Sequence, residues 1–128
     1  MKNKRLKIGV DVEGTLANIL SVWGDEYNFI KKTKYTVDDW TDWDGMKTVF
    51  NVDTHRFILE LENLWTGWLM GERIDIPLVD AAIPAVMREL ALNHDVYINT
   101  AHKESLHPIM KWLDVKLSQD LVPYKAII

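Results

Sequence analysis

The chain has 128 residues, a net charge of −4 and no cysteine. This length fits one domain, and the 48% of hydrophobic and 27% of charged residues are ordinary for a soluble globular protein. The acidic balance excludes a protein that coats a nucleic-acid polymer through bulk positive charge, and the lack of cysteine excludes disulfide and thiolate chemistry. The apolar run at residues 8–10 is too short for a signal sequence or a membrane span. We therefore expect a cytoplasmic protein with no membrane partner.

The first predicted elements are a strand and a helix. Residues 6–12 form a short apolar run that is typical of a buried parallel strand. A helix beginning at Thr15 or a near neighbour follows, because apolar residues recur after it at helical spacing as far as Ile30. Residues 33–53 are rich in aspartate and predict loops and short turns.

Two further helices are predicted in the middle of the chain. Residues 54–64 return to a helical pattern, and residues 65–76 are expected to lead back to the main domain. Residues 77–92 predict an amphipathic helix with Asp80 as its N-cap. The inward positions of this helix are predicted to be Ile83, Val86, Met87 and Leu90.

The last third of the chain alternates strand and helix. Residues 96–98 predict a second short strand that ends at Asn99 and Thr100. Residues 105–117 predict a helix whose inward residues are Ile109, Trp112 and Leu113. Apolar residues between 121 and 128 form a possible last strand. This alternation of strands and helices predicts an α/β domain with a parallel sheet.

The strongest functional signal is a pair of acids directly after the first strand. Asp11 and Glu13 are separated by one residue, and sites in open parallel sheets lie beyond the carboxyl ends of the strands. The turn that follows offers the backbone N–H groups of Gly14 and Thr15 to a phosphate oxygen. A carboxylate can attack phosphorus while a second acid protonates the leaving oxygen. The alternative is an acidic turn that caps the next helix.

Thr100 is the second signal, because it stands at the end of the second strand. Neighbouring parallel strands would place its hydroxyl beside Asp11, where it could donate to a phosphoryl oxygen. The alternative is a threonine that merely ends a strand. His102, two residues later, could touch a phosphate or be a loop histidine without a role.

Two strings in the chain resemble the motifs of a known family. Residues 11–16 (DVEGTL) resemble the first motif, DxDGTL, of the haloacid dehalogenase-like superfamily, and residues 95–100 (DVYINT) resemble its second motif. The layout is similar to one branch, the 5'(3')-deoxyribonucleotidases and their bacterial and phage relatives. The resemblance implies a Rossmann-like parallel sheet built from residues 1–16 and 77–128, with a small helical cap inserted at 17–76.

The resemblance also implies a role for individual residues. Asp11 would be the nucleophile, Glu13 the general acid and base, and Thr100 a ligand of the phosphoryl group. Mg²⁺ would be held by the Asp11 carboxylate and the main-chain carbonyl of Glu13. Lys125, which precedes a short apolar stretch, matches the family's third motif and would neutralise negative charge on phosphate and nucleophile.

The function that this resemblance implies is that of a Mg²⁺-dependent phosphomonoesterase with an aspartyl-phosphate intermediate. The expected substrate is a small phosphorylated molecule, with a nucleoside monophosphate favoured, and an oligomer is possible. The chain departs from the family in having Glu13 where an aspartate is usual and in lacking a fourth, acidic motif after Lys125. A truncated or degenerate member that binds a nucleotide or partner without catalysis is the alternative, and a phosphatase for a sugar phosphate is a third.

The predicted cap is rich in tryptophan. Five of the six Trp residues lie between Trp23 and Trp68. Such side chains can stack on a nucleobase, or they can fill the small core of a cap that has few aliphatic residues. The aspartates at residues 38–44 do not have the spacing of a helix-flanked calcium loop, and we expect a solvated acidic loop there.

Overall fold

The computed structural model describes residues 4–39, 52–72, 75–117, 124–125 and 127. In chain order its elements are β1 (Lys7–Asp11), α1 (Ile19–Lys31), α2 (Thr54–Leu69), α3 (Ile83–Asn93), β2 (Asp95–Asn99) and α4 (Leu106–Leu117). Short 3-10 turns cover Val37–Asp39 and Lys103–Ser105. The described part of the chain is therefore mixed α/β, as predicted.

The two strands form a small parallel sheet. β1 and β2 pair in a register that puts Asp11 opposite Asn99. Ile127 makes a parallel bridge to Ile98, and because Ile98 already faces β1 on one side, Ile127 lies on the other. The predicted parallel pairing of the first two strands is confirmed. Of the predicted last strand, residues 121–122 lie outside the part of the chain that the structure describes.

One hydrophobic cluster joins all of these elements. α2 packs against both α1 and α4, and the rings of Trp65 and Trp112 meet edge to face with centroids 5.7 Å apart. The Trp112 indole N–H donates to the carbonyl of Ile76 at 2.7 Å, so this fully buried side chain leaves no polar atom unpaired. The inward face predicted for the last helix is confirmed, because Ile109, Trp112 and Leu113 are all buried.

The first helix begins later than the sequence pattern predicts. α1 begins at Ile19 rather than near Thr15. The intervening residues form a turn in which the amides of residues 15–17 all donate to the carbonyl of Val12. Gly14 has a φ of 82°, a left-handed conformation that glycine adopts without strain. Local turn bonding therefore overrides the helical spacing of the apolar residues.

The third helix also begins later than predicted, and one of its predicted inward residues is wrong. α3 begins at Ile83 with Pro84 in its first turn, where a proline costs no hydrogen bond. Asp80 is not the N-cap, although its side chain accepts from the amide of Ala82 at 2.8 Å in the preceding turn. Val86 was predicted inward but is 52% exposed, because it lies at the margin of the apolar stripe centred on buried Met87.

The N-terminal segment is attached to the sheet through Arg5. The Arg5 guanidinium donates to the Asp95 carboxylate at 2.8 Å and to the carbonyl of His94 at 3.1 Å. The hydrogen bond from Arg5 lowers the pKa of the Asp95 carboxyl below its ordinary value. These contacts hold the segment before β1 against the amino end of the sheet, which is opposite to the end where Asp11 lies. Within the described ranges, no helix has both the length and the apolar character needed to cross a bilayer.

Candidate active site

Asp11 and Thr100 lie at the same end of the sheet. Asp11 is the last residue of β1 and is exposed, and Thr100 follows the last residue of β2. The hydrogen bonding between β1 and β2 continues one residue beyond β1, because the amide of Val12 donates to the carbonyl of Asn99 at 3.1 Å. The two signals from the sequence are thus brought to one edge by parallel pairing, since the carboxyl ends of parallel strands coincide.

The backbone amides of the turn after Asp11 donate to carbonyl groups within the same turn. The Gly14 amide donates to the carbonyl of Ala17 at 2.9 Å, and the Thr15 amide donates to the carbonyl of Val12 at 3.3 Å. In the turn as it stands both N–H groups are hydrogen-bonded to backbone carbonyls, and their contact with a phosphate oxygen stays a prediction. A residue in a tight turn satisfies its donors locally whenever a carbonyl is within reach.

Thr100 is hydrogen-bonded to Glu13. Its hydroxyl lies 3.0 Å and 3.2 Å from the two carboxylate oxygens of Glu13, and it accepts from the amide of His102 at 3.0 Å. We predicted that this hydroxyl lies beside Asp11, and its hydrogen-bond acceptor is instead the second acid of the pair. The bond joins the end of β2 to the turn that follows β1.

The surroundings of Glu13 shift the pKa of its carboxyl upwards. Burial raises the pKa of the Glu13 carboxyl above its ordinary value of 4.5, and the negative charge of Asp11 acts in the same direction. The positive charge of His102 and the hydrogen bond from Thr100 oppose this rise without cancelling it. A raised carboxyl pKa beside a second carboxylate is the arrangement expected of a general acid.

His102 belongs to the same group of side chains. It is half-buried, and its Nδ1 atom is buried without a hydrogen-bond partner among the described residues. Its amide donates to the Thr100 hydroxyl at 3.0 Å, and that hydroxyl is in turn bonded to Glu13. Because an unpaired buried ring nitrogen costs free energy, the Nδ1 atom is a candidate contact for a ligand. The sequence alone had left open whether His102 has such a role.

Asn99 is the residue at this edge that sequence reasoning missed. It lies opposite Asp11, and its side chain covers Gly9, where an added Cβ would come within 2.6 Å of the Asn99 Nδ2 atom. The Oδ1 atom of Asn99 is buried and has no hydrogen-bond partner within the described ranges. The sequence did contain a signal for Asn99, because this residue is polar and stands directly before Thr100 at the end of a strand.

Lys125 does not lie at this edge, so its assignment to the phosphate site is corrected. Its amide donates to the carbonyl of Val96 at 2.7 Å, and its ammonium lies 3.9 Å from Asp95 at the start of β2. Asp95 and Asn99 are four residues apart, which is about 13 Å along a strand. The sequence context of Lys125 resembles the family's third motif, but the register of the chain places this residue at the opposite end of the sheet.

The described side chains offer few ligands for a metal ion. No group of three or more His, Cys, Asp or Glu side chains that could hold a metal ion occurs among them. Mg²⁺ needs less than that, because it commonly keeps several waters and binds through one or two carboxylates together with substrate phosphate. The exposed Asp11 carboxylate and the neighbouring Glu13 are compatible with such a site.

The described tryptophans of the predicted cap serve mainly as core. Trp23 and Trp65 are buried, and the Trp23 indole N–H donates to Glu60 at 2.7 Å. Trp68 is half-buried and donates to Asp75 at 3.3 Å. Trp40 and Trp43, like Asp42 and Asp44 of the acidic loop, lie outside the described residues.

A cavity between α1 and α2 is separate from the paired acids. It has a volume of ≈ 500 Å³, with Trp23, Tyr27 and Arg56 among its lining residues. Neither Asp11 nor Glu13 lines it. The chemistry at the strand ends, rather than this cavity, therefore identifies the candidate site.

Comparison of the chain with protein-family models, with curated proteins and with solved structures finds no match. The resemblance to the haloacid dehalogenase-like superfamily therefore depends on the two motifs and on the geometry of the residues in them.

Proposed function

We propose that this protein is a phosphomonoesterase that uses Asp11 as its nucleophile, on a Rossmann-like core of the haloacid dehalogenase type. The observation that carries the proposal is the convergence of Asp11, Glu13 and Thr100 at the carboxyl ends of two paired parallel strands. A nucleophile, an acid with a raised pKa and a hydroxyl donor are the groups that this reaction requires.

The reaction has two displacements. An oxygen of the Asp11 carboxylate attacks phosphorus, the bond from phosphorus to the ester oxygen breaks, and Glu13 gives its proton to the departing alkoxide. Water then attacks the aspartyl-phosphate while Glu13 takes up a proton, and cleavage of the phosphorus–oxygen bond to Asp11 releases phosphate. The raised pKa of Glu13 suits the first step, because this acid must be protonated when the leaving group departs.

Magnesium is the proposed cofactor. The carboxylate of Asp11 and the main-chain carbonyl of Glu13 would hold the ion, which would supply positive charge to the phosphoryl oxygens. A chelator should therefore abolish phosphate release, and Mg²⁺ should restore it.

The nucleophile is tested by replacement. Asp11→Asn should abolish phosphate release from nucleoside monophosphates and from a generic aryl phosphate, because the amide cannot form the aspartyl-phosphate. Asp114→Asn, at an exposed position on α4, is the matched control and should leave turnover unchanged. Undiminished turnover in Asp11→Asn would remove the proposal. A panel of nucleotides and sugar phosphates would identify the substrate, for which a nucleoside monophosphate is the first candidate.

A second candidate is a protein that binds a phosphorylated ligand or a partner without hydrolysing it. It is favoured by the engaged amides of Gly14 and Thr15 and by the distance of Lys125 from Asp11, which leave the site with few anion contacts. Calorimetric binding of a nucleotide to the wild-type protein in the presence of Mg²⁺, with no phosphate released, would favour this candidate over the enzyme.

A further inference from the structure

The strand β1 has a free edge along the described part of the sheet. β1 is bonded to β2 on one side, and the described residues place no strand on the other. The Val12 amide and the Leu6 carbonyl both face β2. Because successive residues of a strand direct their backbone groups to alternate sides, those of Lys7, Gly9 and Asp11 point to the free side. Unpaired groups in such a row are a template for another strand.

We propose that two copies of the chain associate through β1, in antiparallel register about a twofold axis at Gly9. In this register each Lys7 lies opposite the partner's Asp11, and each Ile8 lies opposite the partner's Val10. The five residues, KIGVD, are therefore complementary to themselves in charge and in hydrophobicity. The three residues with outward backbone groups fall on hydrogen-bonded pairs, so the donors and acceptors of both edges are satisfied.

The charges select this orientation. In a parallel pairing of the same register, Lys7 would lie opposite Lys7 and Asp11 opposite Asp11, and like charges directly opposite each other are unfavourable. Both residues are exposed and occupy the same face of β1, as an ion pair across the edge requires. Within one chain the two are four residues apart, about 13 Å, and cannot pair with each other.

An apolar groove beside the edge supports the same interface. The groove has a volume of ≈ 380 Å³ and runs between β1 and α3. Most of its lining is apolar, and it includes Val10, Leu16, Ile83, Val86, Met87 and Leu90. Antiparallel pairing of β1 places the two copies of this groove at one interface, and burial of exposed apolar surface such as that of Val86 favours association.

The pairing would complete the site in a way that one chain does not. It brings the ammonium group of the partner's Lys7 beside Asp11, since Cβ atoms of directly opposite residues are about 5 Å apart. Lys125 of the same chain is at the far end of the sheet. The further step, that the partner's Lys7 neutralises phosphate charge at Asp11, rests on the proposed function, whereas the pairing itself does not.

Sedimentation of the full chain over a range of concentrations tests the association. The wild-type protein should show a reversible dimer. Lys7→Glu puts two acids opposite each other at both ends of the pairing and should weaken the dimer by roughly tenfold or more. Lys4→Glu makes the same charge change at an exposed position before β1 and should have little effect. A monomer at every concentration, or equal weakening by both variants, would overturn the proposal.

Cross-linking tests the register. The chain has no cysteine, so introduced thiols can react only with each other. The double variant Lys7→Cys/Asp11→Cys should oxidise to a covalent dimer, because residue 7 of one copy lies opposite residue 11 of the other. Each single variant should remain uncross-linked, since its two thiols lie on opposite sides of the twofold axis. Efficient cross-linking of either single variant would contradict the register.

Neither experiment needs turnover, so the two proposals fail separately. A protein that dimerises in this register but releases no phosphate would refute the phosphatase and leave the dimer. An active monomer would do the reverse. Circular dichroism of each variant establishes that a lost dimer does not reflect a lost fold.

Discussion

The hydroxyl of Thr100 donates to the carboxylate of Glu13 at 3.0 Å, and this bond closes the gap between the end of β2 and the turn after β1. Two residues that are 87 positions apart in the chain are thereby hydrogen-bonded to each other at the edge of the sheet. The bond satisfies the carboxylate of the half-buried Glu13, and it holds that acid beside the exposed carboxylate of Asp11. The candidate site is built around this relationship.

Replacement of Thr100 tests whether its hydroxyl serves the reaction. Thr100→Val removes the donor with little change in shape and should lower kcat by about a hundredfold, in line with the loss of one preorganised donor. Thr100→Ser retains the hydroxyl and should keep most of the activity. Steady-state kinetics of phosphate release measure both. Equal rates for Val and Ser would show that the hydroxyl serves the fold alone.

Glu13→Gln should change how stability depends on pH. Because burial raises the pKa of Glu13 above 4.5, the folded protein holds more protons than the unfolded chain between pH 4.5 and the folded pKa. The free energy of unfolding of the wild type should therefore fall as the pH rises through that window. Gln cannot ionise, so the variant should lack this fall.

Urea denaturation at a series of pH values measures the difference between the wild type and Glu13→Gln. Glu89→Gln, at an exposed position on α3, is the control and should follow the wild type. A difference between wild type and Glu13→Gln that does not vary from pH 4.5 to 7 would contradict a raised pKa. Loss of the acid should also reduce turnover by a factor of about 10² to 10⁴.

Gly9→Ala should destabilise the fold through Asn99. The added methyl would lie 2.6 Å from the Asn99 Nδ2 atom, so the amide must move, at a cost of about 1–3 kcal/mol. In Asn99→Ala the obstacle is absent, and Gly9→Ala should then cost much less. A double-mutant cycle by chemical denaturation, at a concentration where the chain is monomeric, measures the coupling. Additive effects would mean that the two side chains do not meet.

Trp112→Phe should test the hydrogen bond that crosses the core. The variant keeps an aromatic ring against Trp65 but leaves the Ile76 carbonyl without its donor. An unpaired buried acceptor costs about 1–3 kcal/mol, to which the smaller ring adds a cavity. Thermal or urea unfolding measures the loss. An unchanged stability would show that water or another donor replaces the indole.

Much of the fold could be predicted, because the local pattern of apolar residues indicates where strands and buried helix faces lie. The apolar run before Asp11 and the stripe containing Ile109, Trp112 and Leu113 correctly predicted a strand and a buried helical face. Helix starts were less predictable. Turn hydrogen bonds to Val12 delay α1, and such bonds compete with helix formation without altering the spacing of apolar residues.

The sequence by itself determined which residues could do chemistry: two acids after one strand and a threonine after another. Only the tertiary structure decided how they are used. It paired Thr100 with Glu13, engaged the amides of Gly14 and Thr15 within their turn, and placed Lys125 at the opposite end of the sheet. The physical reason is that strand register, burial and the pKa of a carboxyl depend on neighbours distant in the chain, which local periodicity does not specify.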